Sequence, residues 1–135
     1  MATIKVFEDL EIWQKGREIC KGVWVIMEET TLAKDFGLKN QMNTSSGSVM
    51  DNIAEGFERN GNREFIQFLS ISKASCGELR SQLYRAYDRK HINDQQFNIL
   101  KELTETESKM IGSFITYLLN SENKGSKFKK IIPKL

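Results

Sequence analysis

Residues 63–90, REFIQFLSISKASCGELRSQLYRAYDRK, decide the fold. Phe65, Phe68, Leu69, Ser72, Cys76, Leu79, Leu83, Ala86 and Tyr87 recur at threes and fours for more than three heptads. That is the a/d-like seam of a helix packed lengthwise in a bundle. A strand of this length would alternate instead, and no alternation competes. The single proline, Pro133, falls in the last three residues, so nothing upstream carries the residue that most strongly breaks helices.

Downstream, His91-Ile92-Asn93 breaks the pattern, and Asn93 followed three residues later by Gln96 fits a capping box. A fourth helix therefore starts there and carries Phe97, Leu100, Leu103, Met110, Ile111, Phe114, Tyr117 and Leu118. Ile99 and Ile115 broaden its apolar arc to roughly 160° at 100° per residue. Upstream, Asn60-Gly61-Asn62 reads as a turn with Asn62 as N-cap. Before it, Leu38, Met42, Val49, Ile53 and Phe57 mark a second helix through Asn43-Thr44-Ser45-Ser46-Gly47-Ser48. Short polar side chains compete for backbone hydrogen bonds there, yet they also let helices approach closely. Residues 8–30 form the first helix, on Leu10, Trp13, Cys20, Val23, Trp24 and Met27. Ile12, Ile19 and Ile26 widen its stripe to roughly 200°, more than one partner covers. Gly37 is the expected left-handed stop after it.

Four long helices with short connections predict an all-α, antiparallel up-and-down four-helix bundle over residues 1–120, followed by a basic, flexible tail over 121–135. The 135 residues suit one domain, and 39% hydrophobic with 28% charged residues supports a packed core. No apolar run reaches the ~18 residues of a membrane span, and Met1 to Leu10 has no signal pattern. A cytoplasmic protein without membrane attachment is expected. One histidine and two cysteines exclude paired-histidine zinc and Glu-x-x-His di-iron sites within one chain. No metal or cofactor is expected, and Cys20 and Cys76 read as packed thiols.

The net charge of +2 is unevenly spread. Residues 61–91 hold six basic and three acidic groups and residues 121–135 five and one, whereas the rest is acidic. A phosphate-binding role must then rest on a local patch or the tail.

Several stretches together resemble one family, the four-helix-bundle proteins encoded in intervening sequences of bacterial large-subunit ribosomal RNA genes. They are Phe7-Glu8-Asp9-Leu10 with Trp13-Gln14-Lys15, Gly37-Leu38 with Gln41-Met42, Ser48-Val49 with Asn52-Ile53-Ala54-Glu55-Gly56, then Arg59, Phe65 and Phe68-Leu69. The resemblance implies a left-handed bundle assembled as a ring-shaped homopentamer, similar to the accessory protein of diversity-generating retroelements. It also implies no enzymatic activity and a nucleic-acid-binding role. Relatives typically carry a basic pair after the second-helix glutamine; here Asn43-Thr44 stands instead, so no phosphate contact carries over to that place.

The candidate nucleic-acid contacts are Arg59, Arg63, Lys73, Arg80, Lys127, Lys129 and Lys130. Against them stands the ordinary reading of exposed cations on a bundle surface. Ile12, Ile19, Ile26, Trp24, Ile99 and Ile115 are the candidate subunit contacts, because the outer two helices hold more apolar surface than one bundle hides. Asn52 reads as a register-fixing amide and Glu55 as a bond to a neighbouring helix or subunit. The serine run lacks a P-loop lysine, and His91 lies in a loop far from it, so neither a phosphate loop nor a serine hydrolase is expected. The expected function is binding of RNA, DNA or a ribosomal particle, with a scaffold for another polypeptide, such as a reverse transcriptase, as the alternative.

Overall fold

The computed structural model describes residues 3–123. Four helices carry the chain: α1 (Glu11–Glu29), α2 (Phe36–Phe57), α3 (Asn62–Asp88) and α4 (Asp94–Asn123). Short 3-10 turns at Phe7–Asp9 and Thr31–Lys34 precede α1 and α2. Cross-helix approaches fix the antiparallel order. The Cys20 thiol donates to the Ser46 carbonyl, the Cys76 thiol to the Thr104 carbonyl, and Gly22 lies against Leu100. Each helix packs on the next, and α1 closes on α4 along the least extensive seam of the four. The tail lysines Lys127, Lys129 and Lys130 lie outside the described residues, and α4 runs three residues past the expected boundary at 120.

The helix ends follow local chemistry. Asn93 and Gln96 form the expected reciprocal box: the Asn93 side chain accepts from the Gln96 amide at 2.8 Å, and the Gln96 side chain accepts from the Asn93 amide at 2.9 Å. The serine-rich stretch is helical throughout α2. Two expectations change. Gly37 does not stop the first helix; α1 ends at Glu29, where the Thr30 hydroxyl donates to the Ile26 carbonyl and accepts from the Leu32 amide. Asp35 then caps α2, and Gly37 sits in its first turn. Asn62 is the first residue of α3 rather than its cap, because Gly61, at φ +159°, supplies the carbonyl to the Phe65 amide.

The core is two apolar bodies stacked along the bundle. One gathers Ile19, Val23, Met27, Leu38, Met42, Leu79, Leu83, Ile92 and Leu100 toward the α3–α4 turn. The other gathers Ile12, Ile53, Phe57, Phe65, Leu69, Ile111, Phe114 and Leu118 toward the α2–α3 turn. Each such side chain contributes about 1.5–3 kcal/mol on burial. Ile12, Ile19 and Ile26 belong to these bodies, fully enclosed within the protomer. This corrects their assignment to a subunit interface. A helix flanked by two neighbours and facing a third buries a wide arc, so breadth alone does not require another copy.

Candidate functional site

Between the apolar bodies runs a polar waist, and its two sides differ. Where α2 meets α3, the polar groups pair. The Ser45 hydroxyl donates to Gln82 Oε1 at 2.6 Å, the Ser72 hydroxyl to the Val49 carbonyl at 2.6 Å, and Ser48 and Ser75 share a bond at 2.7 Å. Asn52 does not reach another helix: its amide donates to the carbonyl and hydroxyl of Ser48, one turn back. Small side chains at these places let α2 and α3 approach closely, and the hydroxyls are satisfied by that approach.

On the α1–α4 side stands Glu107. It is fully buried, and neither carboxyl oxygen has a hydrogen-bond partner. Gly16 of α1 faces it; a Cβ there would come within 3.3 Å of Oε2 and 3.1 Å of Met50 Cβ. Burial drives the Glu107 carboxyl up to about 8, with Lys15 pulling the other way. The Cys76 thiol, buried and near Glu107, is pushed up to about 12, and burial also raises Cys20. Both thiols are therefore protonated and inert at neutral pH. Sequence reasoning missed Glu107, although the signal was present: it falls seven residues after Leu100 and four before Ile111, on the apolar face of its helix.

At the α3–α4 end, Asp35 Oδ2 accepts from Arg89 at 2.8 Å and pairs with His91 Nε2 at 2.9 Å, while His91 Nδ1 meets the Thr31 hydroxyl at 2.7 Å. The bond from His91, then that from Arg89, hold the Asp35 carboxyl down at about 2. Because Asp35 also caps α2, this chain ties the α1–α2 connection to the α3–α4 turn. Lys90 takes the left-handed conformation at φ 62° that reverses the chain here, with His91 N–H bonding the Ala86 carbonyl and Lys90 N–H that of Tyr87.

The sequence-predicted cations separate into two groups. Arg59 is committed to Glu55 at 3.0 Å and Glu64 at 3.9 Å, with its guanidinium 5.0 Å from the Phe68 ring centre. Glu55 thus pairs with Arg59 and not across helices. Arg63 is exposed on the first turn of α3 and has contacts of its own. Lys73 and Arg80 lie along the α3–α4 groove; the Lys73 chain passes over Gly112, and among the described residues neither cation is in an ion pair. Farther along the same strip, the rings of Tyr84 and Tyr87 each pack on Phe97 at 4.9 Å. Tyr84 keeps 46% of its surface exposed.

Of the candidate subunit contacts, Trp24 is 57% and Ile99 53% exposed, and Ile115 is half-buried against the lower apolar body. Val25 is exposed beside Trp24, and Trp13 packs edge-on against Phe7. Among the described residues no group of three or more His, Cys, Asp or Glu side chains is placed to hold a metal ion, and no helix is long and apolar enough to cross a membrane.

No curated protein matches the chain. The model of the 23S rRNA-intervening sequence protein family matches residues 8–113, from the turn before α1 to the last third of α4. That span holds the whole waist and both capped turns, and with it the chain belongs to the 23S rRNA-intervening sequence protein family.

Proposed function

We propose that this protein acts by binding and not by catalysis, as a self-associating bundle that holds RNA or DNA along the α3–α4 groove. The observation that carries the reading is the strip Lys73, Arg80, Tyr84 and Tyr87. Lys73 and Arg80 stand two helical turns apart, about 10.5 Å along the axis. Two unpaired cations supply phosphate contacts, and the exposed Tyr84 ring offers a face for a base to stack on. Arg59 contributes less, because a phosphate would have to displace two carboxylates. The family's link to ribosomal RNA genes supports a ribosome-related setting.

Self-association, as a homopentamer, uses apolar side chains that the protomer leaves exposed, among them Trp24, Val25 and Ile99. A ring would repeat one modest groove five times and so multiply its hold on a long strand. The alternative, a scaffold for another polypeptide, draws on the same exposed Trp24 and on the acidic balance of residues 1–60.

A mobility-shift titration with single-stranded RNA and DNA at low salt tests the proposal. K73E/R80E is expected to weaken binding by at least tenfold and to flatten the salt dependence, and Tyr84→Ala to weaken it less. Deleting residues 124–135 measures the share contributed by the five tail lysines, Lys127, Lys129 and Lys130 among them. Absence of any complex at low salt, or equal affinity of K73E/R80E and wild type, would overturn the groove as the binding surface.

A further inference from the structure

The groups around Glu107 are already engaged elsewhere. The Cys76 thiol of α3 gives its hydrogen to the Thr104 carbonyl at 3.1 Å, and the Thr104 hydroxyl of α4 gives its own to the Lys101 carbonyl at 2.8 Å. From α1 come Gly16, which has no side chain, and the charge of Lys15, whose ammonium lies 3.7 Å from Glu18. From α2 comes Met50, packed against Gly16. The remaining charges, Lys73 and Arg80, face Cys76 from α3 and lie on the outer groove. Among the described residues no hydrogen-bond donor reaches the carboxyl, Lys15 acts on it only through its charge, and it lies on the least extensive of the four helix seams.

We propose that Glu107 is a proton-operated latch: its neutral acid form lets α1 close on α4 through Gly16, and loss of the proton opens that seam. An ionised carboxylate in this enclosure is shut off from the surface and receives no hydrogen bond from the protein, a state that costs far more than the contact across a glycine returns. The shortest way to hydrate it is to part α1 from α4: hydroxyls tie α2 to α3, Cys76 ties α3 to α4 and Cys20 ties α1 to α2, whereas among the described residues no side-chain hydrogen bond joins α1 to α4. The carboxyl's upward displacement to about 8 puts the change within the neutral to mildly alkaline range. The inference concerns the closure of the protomer and does not depend on nucleic-acid binding.

Alkylation of Cys76 by iodoacetamide reads the opening, because this thiol is buried beside Glu107. Rates are resolved from those of Cys20 by mass spectrometry and divided by the rate of the urea-unfolded chain at the same pH, which removes the ordinary thiolate dependence. For wild type the normalised rate is expected to rise at least tenfold between pH 5.5 and 8, while Glu107→Gln and Glu107→Leu stay flat. Equal pH profiles for wild type and variants overturn the latch. If neither variant folds, backbone amide exchange in wild-type α1, corrected for intrinsic rates, must accelerate over the same range relative to α3; parallel behaviour of the two helices overturns it equally.

Discussion

The two sides of the waist bury polar groups in opposite ways. Between α2 and α3, serines and a glutamine are placed so that close approach completes their hydrogen bonds. Between α1 and α4, close approach is bought with Gly16 and leaves Glu107 unpartnered. A polar group buried with a partner fixes how two helices fit; one buried without a partner makes the fit conditional on its protonation.

The largest expected effect separates the two sides by pH. Glu107 has a folded value of about 8 against 4.5 for the free group, so the folded chain holds the proton more tightly. Its stabilising share is therefore complete below pH 4.5 and is lost as pH rises to 8. A displacement of this size corresponds to about 4–5 kcal/mol over that range. Urea unfolding of Glu107→Leu should show this pH dependence removed and higher stability than wild type at pH 8. A parallel pair of pH profiles would place the sensitivity elsewhere.

Next comes packing. A Cβ at Gly56, where α2 crosses α3, would meet Phe68 Cβ at 2.7 Å and the Phe65 ring at 2.9 Å. Gly56→Ala should cost about 2–3 kcal/mol, whereas Gly16→Ala, with its nearest contact at 3.1 Å, should cost about 1 because the gain in helix propensity offsets part of the crowding. Denaturation midpoints decide the order; equal costs would erase the contrast between the seams.

The hydrogen bonds themselves predict a cycle. Gln82→Ala leaves the buried Ser45 hydroxyl only the longer contact to the Met42 carbonyl at 3.4 Å and should cost about 1–2 kcal/mol, while Ser45→Ala with Gln82→Leu should recover much of it. Additive losses would mean that the pair is not coupled. The smallest effect lies at the bundle end. Asp35 is held at about 2 against the usual 3.8, so its contribution is present above pH 3.8 and fades as pH falls toward 2. Asp35→Asn should flatten the acid limb of a thermal melt series and leave the alkaline limb unchanged; an unchanged acid limb would show that the clamp with His91 and Arg89 adds nothing.

Much of the architecture was legible from periodicity and from capping chemistry, both of which are local. The seam through Phe65 and Leu83 and the box at Asn93 and Gln96 needed no knowledge of neighbours. The misread places depend on which surface meets which. Ile12, Ile19 and Ile26 looked surplus because a helical wheel counts apolar width without counting the three helices that cover it. Gly37 reads as a stop in the sequence because the Thr30 and Asp35 caps gain meaning only once the chain turns there. At the candidate groove, Lys73 and Arg80 were readable as one face, but their freedom from ion pairs and the commitment of Arg59 required the fold. Glu107 escaped notice because an isolated acid on an apolar face reads as an exception until every potential partner is located.

The charge state of Glu107 bears most directly on this account. A carbon-13 NMR titration of the selectively labelled Glu107 carboxyl, at low temperature to keep the chain folded, should show its proton leaving near pH 8 together with chemical-shift changes along α1. A midpoint near the ordinary 4.5, with α1 undisturbed, would contradict the claim that an uncharged acid holds the waist closed.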